Sequence, residues 1–114
     1  MLPSSDPQKS LKYDEALEVL SKASKMDPNN PHLRFQRFYV LQSMGDIEEA
    51  LKDLEIVRDL SPREAIVYTK IGQIYYRMGR VNDAIRYFNV AVDLDPKSTA
   101  TMKATLEVKM TKFH

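Results

Sequence analysis

Three prolines, Pro28, Pro62 and Pro96, stand 34 residues apart, and five further sets of positions keep step with them. Ala16, Ala50 and Ala84 form one set, and Leu17, Leu51 and Ile85 the next. Leu20, Leu54 and Phe88 follow, then Ala23, Val57 and Ala91, then Met26, Leu60 and Leu94. One such coincidence would mean little, but six in one register define a repeat. A repeat of this length is one supersecondary unit that cannot bury its apolar face alone, so the chain folds by stacking neighbours.

The best-formed copy runs from Ala65 to Pro96, AIVYTKIGQIYYRMGRVNDAIRYFNVAVDLDP. Gly79 separates two runs of apolar residues at three- and four-residue steps, which predicts two helices joined by a turn. Small residues (Gly72, Ala84, Ala91) let the helices approach, and large ones (Tyr68, Ile71, Tyr75, Phe88) fill the space beside them. These residues at these offsets resemble the tetratricopeptide repeat (TPR). The resemblance implies an all-α fold, a helix-turn-helix superhelix of about six antiparallel helices.

Residues 65–98 match that pattern nearly throughout. Residues 31–64 form a unit with departures: Arg34, Arg37 and Phe38 replace the large, Leu and Gly positions of the first helix, and Phe38 is expected to spread or re-aim its neighbours. Residues 11–30 match only the second half of a unit. Residues 99–113 look like a first half serving as a capping helix. The expected organisation is a flexible leader (1–10), where Pro3 and Pro7 each break a helix, and a TPR domain (11–114). Expected packing residues are Ala16, Leu20, Ala50, Leu54, Gly72, Tyr75, Ala84, Phe88 and Ala91.

The punctuation agrees with the periodicity. Asp14 and Glu15 are placed in the first turn of a helix over 11–27, and Lys22 and Lys25 near its end, both matching the helix dipole. Asn30 followed by Pro31 reads as a cap and a first helical residue. Gly45 reads as a left-handed stop. Asp46 with Glu49, and Ser61 with Glu64, read as capping boxes.

Counting halves has a consequence. The 11–27 helix lacks the partner that covers the Ala16/Leu20/Ala23 face in a full unit. Two or three apolar side chains left wet cost about 3–6 kcal/mol. Either the chain is an excerpt of a longer array, or that face is covered by self-association.

Composition narrows the function. Lysine plus arginine number 17 against 16 acids, a net charge of +1, which gives no general attraction to nucleic acid or an anionic membrane. No cysteine is present, so there is neither a disulfide framework nor a thiolate metal site, in keeping with an intracellular location. No apolar run spans a bilayer. His32 and His114 belong to no cluster with metal-ligand spacing, and Gly45 and Gly79 are lone turn residues rather than a phosphate loop. The pairs Asp14-Glu15, Glu48-Glu49 and Asp93/Asp95 suit solvated helix ends. Arg34, Arg37, Arg58 and Arg63 read as structural or solvated rather than as a nucleic-acid strip. The expectation is a non-enzyme without cofactor or metal.

A narrower resemblance covers Asp27 to Lys97. DPNNPHLRFQR, LSPREAIVYTKIGQIYYRMGR and DLDPK look like near-terminal repeats of the cell-division-cycle-27 type of TPR subunit in the anaphase-promoting complex. Phe35, Gln36, Arg37, Val67 and Tyr68 carry this likeness. It implies a non-catalytic scaffold of a ubiquitin ligase, acting in cell-cycle control in the nucleus or cytoplasm and holding other subunits or peptides. The alternative is a co-chaperone or adaptor module.

In a stack of such units the first helices line the concave face, and residues there that packing does not need are free to bind. These are His32, Phe35, Tyr39, Gln42 and Ser43, then Ile66, Thr69, Gln73, Tyr76 and Arg77, with Lys103 and Glu107 continuing the row. Aromatic, Gln and Arg side chains suit an extended peptide or a helix in a groove. Phe35 and Tyr39 equally suit packing between units, while Tyr76 and Arg77 are the better exposed candidates. A clamp for a terminal carboxylate needs Lys and Asn on one first helix and Lys or Arg on the next. Here Phe35 and Tyr39, then Thr69 and Gln73, stand instead, and Lys70 is the one partial match.

Overall fold

The computed structural model describes residues 7–97, with side chains from residue 11. Five helices fill this span: α1 (Pro7–Met26), α2 (Pro31–Met44), α3 (Ile47–Leu60), α4 (Ala65–Arg77) and α5 (Val81–Leu94). The capping helix expected over 99–113, with Lys103, lies outside the described residues. The chain forms two compact units divided after Leu60. In the first, α2 packs against both α1 and α3; in the second, α4 packs against α5.

The α2 ends follow the expected chemistry. The Asn30 side chain accepts a hydrogen bond from the His32 N–H at 3.0 Å, with Pro31 opening the helix. At the other end Gly45 turns left-handed, φ 83°, where a Cβ would be strained. Its N–H reaches the Gln42 carbonyl at 3.0 Å, and the Asp46 N–H reaches that of Leu41 at 2.9 Å. Asn30→Ala removes the cap acceptor and is expected to lower stability by about 1 kcal/mol, measurable as a drop in urea midpoint at unchanged m-value.

Three local expectations are corrected. α1 begins at Pro7, not after residue 10, because proline is suited to the first helical position, where no N–H is needed. Asp14 and Glu15 therefore lie beyond the first turn. Ser61 is not the cap of α4. That position belongs to Glu64, which makes no side-chain cap hydrogen bond. The Ser61 carbonyl instead accepts from the Glu64 N–H at 3.3 Å, and the Tyr68 hydroxyl donates to the Pro62 carbonyl at 2.8 Å, tying the turn to the helix.

Each unit solves its packing differently. In the second, Gly72 lies under the Phe88 ring: a Cβ built on Gly72 meets Cε1 at 2.7 Å. In the first, the same repeat positions hold Phe38 and Leu54, both fully buried. The bulk that Phe38 adds at the small-residue position is thus offset by a smaller side chain at the facing one. Ala50, Leu54 and Val57 in α3, and Ala84, Phe88 and Ala91 in α5, are buried. Their α1 counterparts Ala16, Leu20 and Ala23 are only half-buried.

Candidate protein-binding surfaces

On α2, helical spacing puts His32, Phe35, Tyr39 and Gln42 on one stripe. His32 and Tyr39 are exposed, and Phe35 and Gln42 half-buried. The aromatic residues form a cluster: Phe35 stacks on Tyr39 at 5.3 Å between centroids and meets Phe38 edge-on at 5.8 Å. His32 Nε2 meets the Gln36 side-chain amide at 2.9 Å. The surface is therefore an aromatic shelf anchored on the buried Phe38, the kind of amphipathic, low-entropy area that protein partners use.

On α4 the expected stripe is Ile66, Thr69, Gln73, Tyr76 and Arg77. Ile66 and Arg77 are exposed, while Gln73 and Tyr76 are half-buried. Thr69 is 2% exposed, so the expectation of an accessible side chain there is corrected. Its hydroxyl donates to the Ala65 carbonyl at 3.2 Å, which satisfies the polar atom within its own helix and lets the residue sit inside.

Two concave features lie beside these stripes. In the first unit α1 and α2 enclose an open, largely apolar groove of about 580 Å³, lined by Lys12, Glu15, Ala16, Val19, Leu20, Gln36, Tyr39 and Val40. Val19 on its wall is 66% exposed. This is the face that the half-unit count left without a partner. In the second unit a cleft of about 370 Å³ is lined by Tyr75, Arg80, Asp83, Arg86, Tyr87 and Val90. Arg80 is held there by Asp83 at 2.7 Å, and its guanidinium lies 4.6 Å from the centroid of the Tyr75 ring. Neither Arg80 nor Arg86 was singled out by spacing, because Arg80 stands just before α5 and Arg86 lies on it, both outside the first-helix row.

The least expected group is ionic. Asp53, 1% exposed, binds Arg37 at 2.9 and 3.1 Å and Arg34 at 3.2 Å. Burial pushes its carboxyl above the usual range, against the opposing pull of Arg37 and Arg34. Among the described residues, neither Arg34 Nε nor Arg37 Nε, both buried, meets an acceptor. Adding 34 to each number gives Tyr68, Ile71 and Tyr87. In the second unit that layer is aromatic, with Tyr68 and Tyr87 stacked at 6.2 Å and Tyr75 and Tyr87 at 5.4 Å. The signal was available in the repeat register: an acid in a row that otherwise holds Val19 and Tyr87, facing two rows where arginine replaces Tyr and Ile. Arg34 and Arg37 are held in this ionic layer, and Arg58 pairs with Asp59 at 3.3 Å.

Among the described residues no group of three or more His, Asp or Glu side chains is placed to hold a metal ion. No described helix is long and apolar enough to cross a membrane.

Tetratricopeptide-repeat family patterns match residues 10–55 and 35–99. The chain belongs to the tetratricopeptide-repeat family. The TPR fold is a protein-interaction fold. Over 94 residues the chain is 33% identical to Cell division cycle protein 27 homolog A of Arabidopsis thaliana, covering 82% of this chain and 13% of the relative. Over 95 residues it is 34% identical to Anaphase-promoting complex subunit 3 of Schizosaccharomyces pombe, covering 83% and 14%. The chain thus spans about an eighth of the length of these relatives. Among solved structures, the first TPR of Spaghetti (RPAP3) bound to the HSP90 peptide SRMEEVD superposes with a TM-score of 0.81 at 20% identity, over 93% of this chain and 84% of that one. That likeness establishes the TPR architecture alone.

Proposed function

We propose that this TPR chain is a segment of the scaffold subunit of an anaphase-promoting complex, a non-catalytic holder of other ubiquitin-ligase subunits in cell-cycle control. The observation that carries this reading is identity of 33 and 34% over more than four fifths of the chain to two such subunits from a plant and a fungus. Its binding residues on α2 and α4 are His32, Phe35, Tyr39, Gln42, Ile66, Gln73, Tyr76 and Arg77. Thr69 is withdrawn from that set because it is buried.

The surface chemistry favours this over a co-chaperone clamp. Where a carboxylate clamp needs cationic and amide side chains, α2 offers the stacked pair Phe35 and Tyr39, and α4 offers the buried Thr69. Affinity capture from a lysate of the source organism is the test. Recovery of anaphase-promoting-complex subunits supports the proposal, and recovery of chaperones overturns it. The purified chain is expected to bind an SRMEEVD peptide no better than a scrambled one in a titration. Tyr76→Ala with Arg77→Glu is expected to weaken capture by roughly tenfold or more. Unchanged capture would remove α4 from the binding surface.

A further inference from the structure

We propose that the cleft of the second unit binds an acidic residue beside an apolar one in an extended segment of a partner protein, with Arg86 taking the carboxylate. The observation is an exchange of ion pairs between two copies of the repeat. In the first unit Lys52 pairs with Glu49, three residues before it, at 2.9 Å. Adding 34 to each number gives Arg86 and Asp83, the same charges at the same spacing, yet they do not pair. Asp83 turns to Arg80 instead, its Oδ2 lying 2.8 Å from Nε and 2.7 Å from a terminal guanidinium nitrogen. The first-unit counterpart of Arg80 is Asp46, which cannot compete for a carboxylate. Arg86, exposed, is thereby left without an acceptor among the described residues.

The walls of the cleft set this arginine apart from a solvated one. The volume of about 370 Å³ falls within the roughly 300–1,000 Å³ of small-ligand sites. The Tyr75 and Tyr87 rings line it, 5.4 Å apart between centroids. Val90, 40% exposed, lies one helical turn from Arg86, so the cation and an apolar spot share a face of α5. In the first unit the place of Tyr87 is held by Asp53, so an anion finds there neither a spare cation nor an uncharged wall. Charge then selects the anion. Two arginines against one aspartate leave one net positive charge in the cleft. That suits a carboxylate, which an arginine fork grips by two parallel hydrogen bonds. A phosphate dianion would need Arg80 as well, and Asp83 both occupies that arginine and repels the newcomer. The Tyr87 and Val90 wall favours a peptide over a free carboxylate, because it buries a neighbouring apolar side chain. The site lies outside the α2 and α4 stripes and does not rest on the scaffold assignment.

The test is an NMR titration of the full 114-residue chain with the capped peptide Gly-Leu-Glu-Leu-Gly and its twin Gly-Leu-Gln-Leu-Gly. The Arg86 Nε–H and Val90 amide signals are expected to shift saturably with the first peptide. The twin, lacking the charge, is expected to bind roughly tenfold more weakly or worse. Arg86→Gln abolishes the preference for the acidic peptide. Arg80→Gln keeps Arg86 but releases Asp83 to pair with it, as Glu49 pairs with Lys52, and so also weakens binding. An arginine that is merely solvated shows no such response to Arg80. Asp83→Asn acts in the opposite direction and strengthens binding. Circular dichroism checks that each variant keeps its helices. Equal binding of the two peptides overturns the proposal, as does the absence of saturable shifts at millimolar peptide. So does an affinity unchanged by either arginine substitution, and so does inorganic phosphate that shifts the same signals at lower concentration. Shifts confined to α2 and α4 overturn it too, while leaving the surface proposed on those helices intact.

Discussion

Asp53→Ala is expected to lower the stability of the first unit by about 3 kcal/mol, whereas replacing the whole ionic layer costs nothing. Removing one partner of a buried ion pair leaves charge without compensation, typically at a cost of about 3–5 kcal/mol. The low end applies here because Arg34 and Arg37 keep 26 and 22% of their side chains in water. The triple variant Arg34→Tyr, Arg37→Ile, Asp53→Tyr copies the layer that the second unit already uses. It removes a desolvated carboxylate and two buried guanidinium nitrogens that lack acceptors. Replacing buried ion networks by apolar side chains is typically neutral or stabilising by about 1–4 kcal/mol, so the triple variant should unfold at equal or higher urea than the wild type.

The pH dependence has a definite sign. Burial raises the Asp53 carboxyl in the folded state. A folded-state value above the unfolded one gives a contribution that is full below the unfolded pKa. It is lost as pH rises through the folded one. The ionised form is therefore the less favourable one in the folded chain. The advantage of the triple variant over the wild type should grow as pH rises through that window and then level off. Urea midpoints across the acid range measure it, and an advantage that shrinks with rising pH would contradict the assignment.

Phe88→Ala is expected to cost about 3–5 kcal/mol, while Leu20→Ala, at the same repeat position in α1, costs about 1. The residues differ in what covers them. Phe88 is fully enclosed and lies over Gly72, and Leu20 is already half in water. Gly72 itself is fixed by this contact. Gly72→Ala favours the helix by about 1 kcal/mol, yet its Cβ would lie 2.7 and 2.9 Å from Phe88 Cε1 and Cδ1. The ring, 1% exposed, has no open side to swing into, and overpacking costs about 1–3 kcal/mol. Gly72→Ala should thus be destabilising alone and milder beside Phe88→Leu. A double-mutant cycle from thermal or urea unfolding should give a coupling of about 1 kcal/mol or more. Additive effects would mean that the ring moves aside freely.

The helices of both units were legible because the 34-residue register repeats the packing positions themselves, and packing is what stabilises short helices. Ala50, Ala84, Phe88 and Ala91 stand where the pattern put them. Residues whose surroundings come from another row were not legible in the same way. Asp53 was not singled out in the sequence, because its partners Arg34 and Arg37 lie 19 and 16 residues away on another helix. Thr69 reads as polar and therefore outward, but a hydroxyl that bonds its own helix carbonyl carries little penalty inside. Pro7 reads as a helix breaker, although at the first position of a helix it has no hydrogen bond to break. The aromatic shelf of α2 was half legible: spacing placed Phe35 and Tyr39 together, and the structure adds Phe38 beneath them.

A chain built from near-copies has a difficulty while it collapses, since a first helix meets more than one second helix of similar shape. The layer around Asp53 tells them apart. If α2 settled on α5, Arg34 and Arg37 would press on Tyr87 with no carboxylate to meet. If α4 settled on α3, the Asp53 charge would be buried against Tyr68 and Ile71. Either mistake strands a charge away from water, at a cost of several kcal/mol. The correct pairings strand none, so the ionic layer acts as a proofreader of chain connectivity.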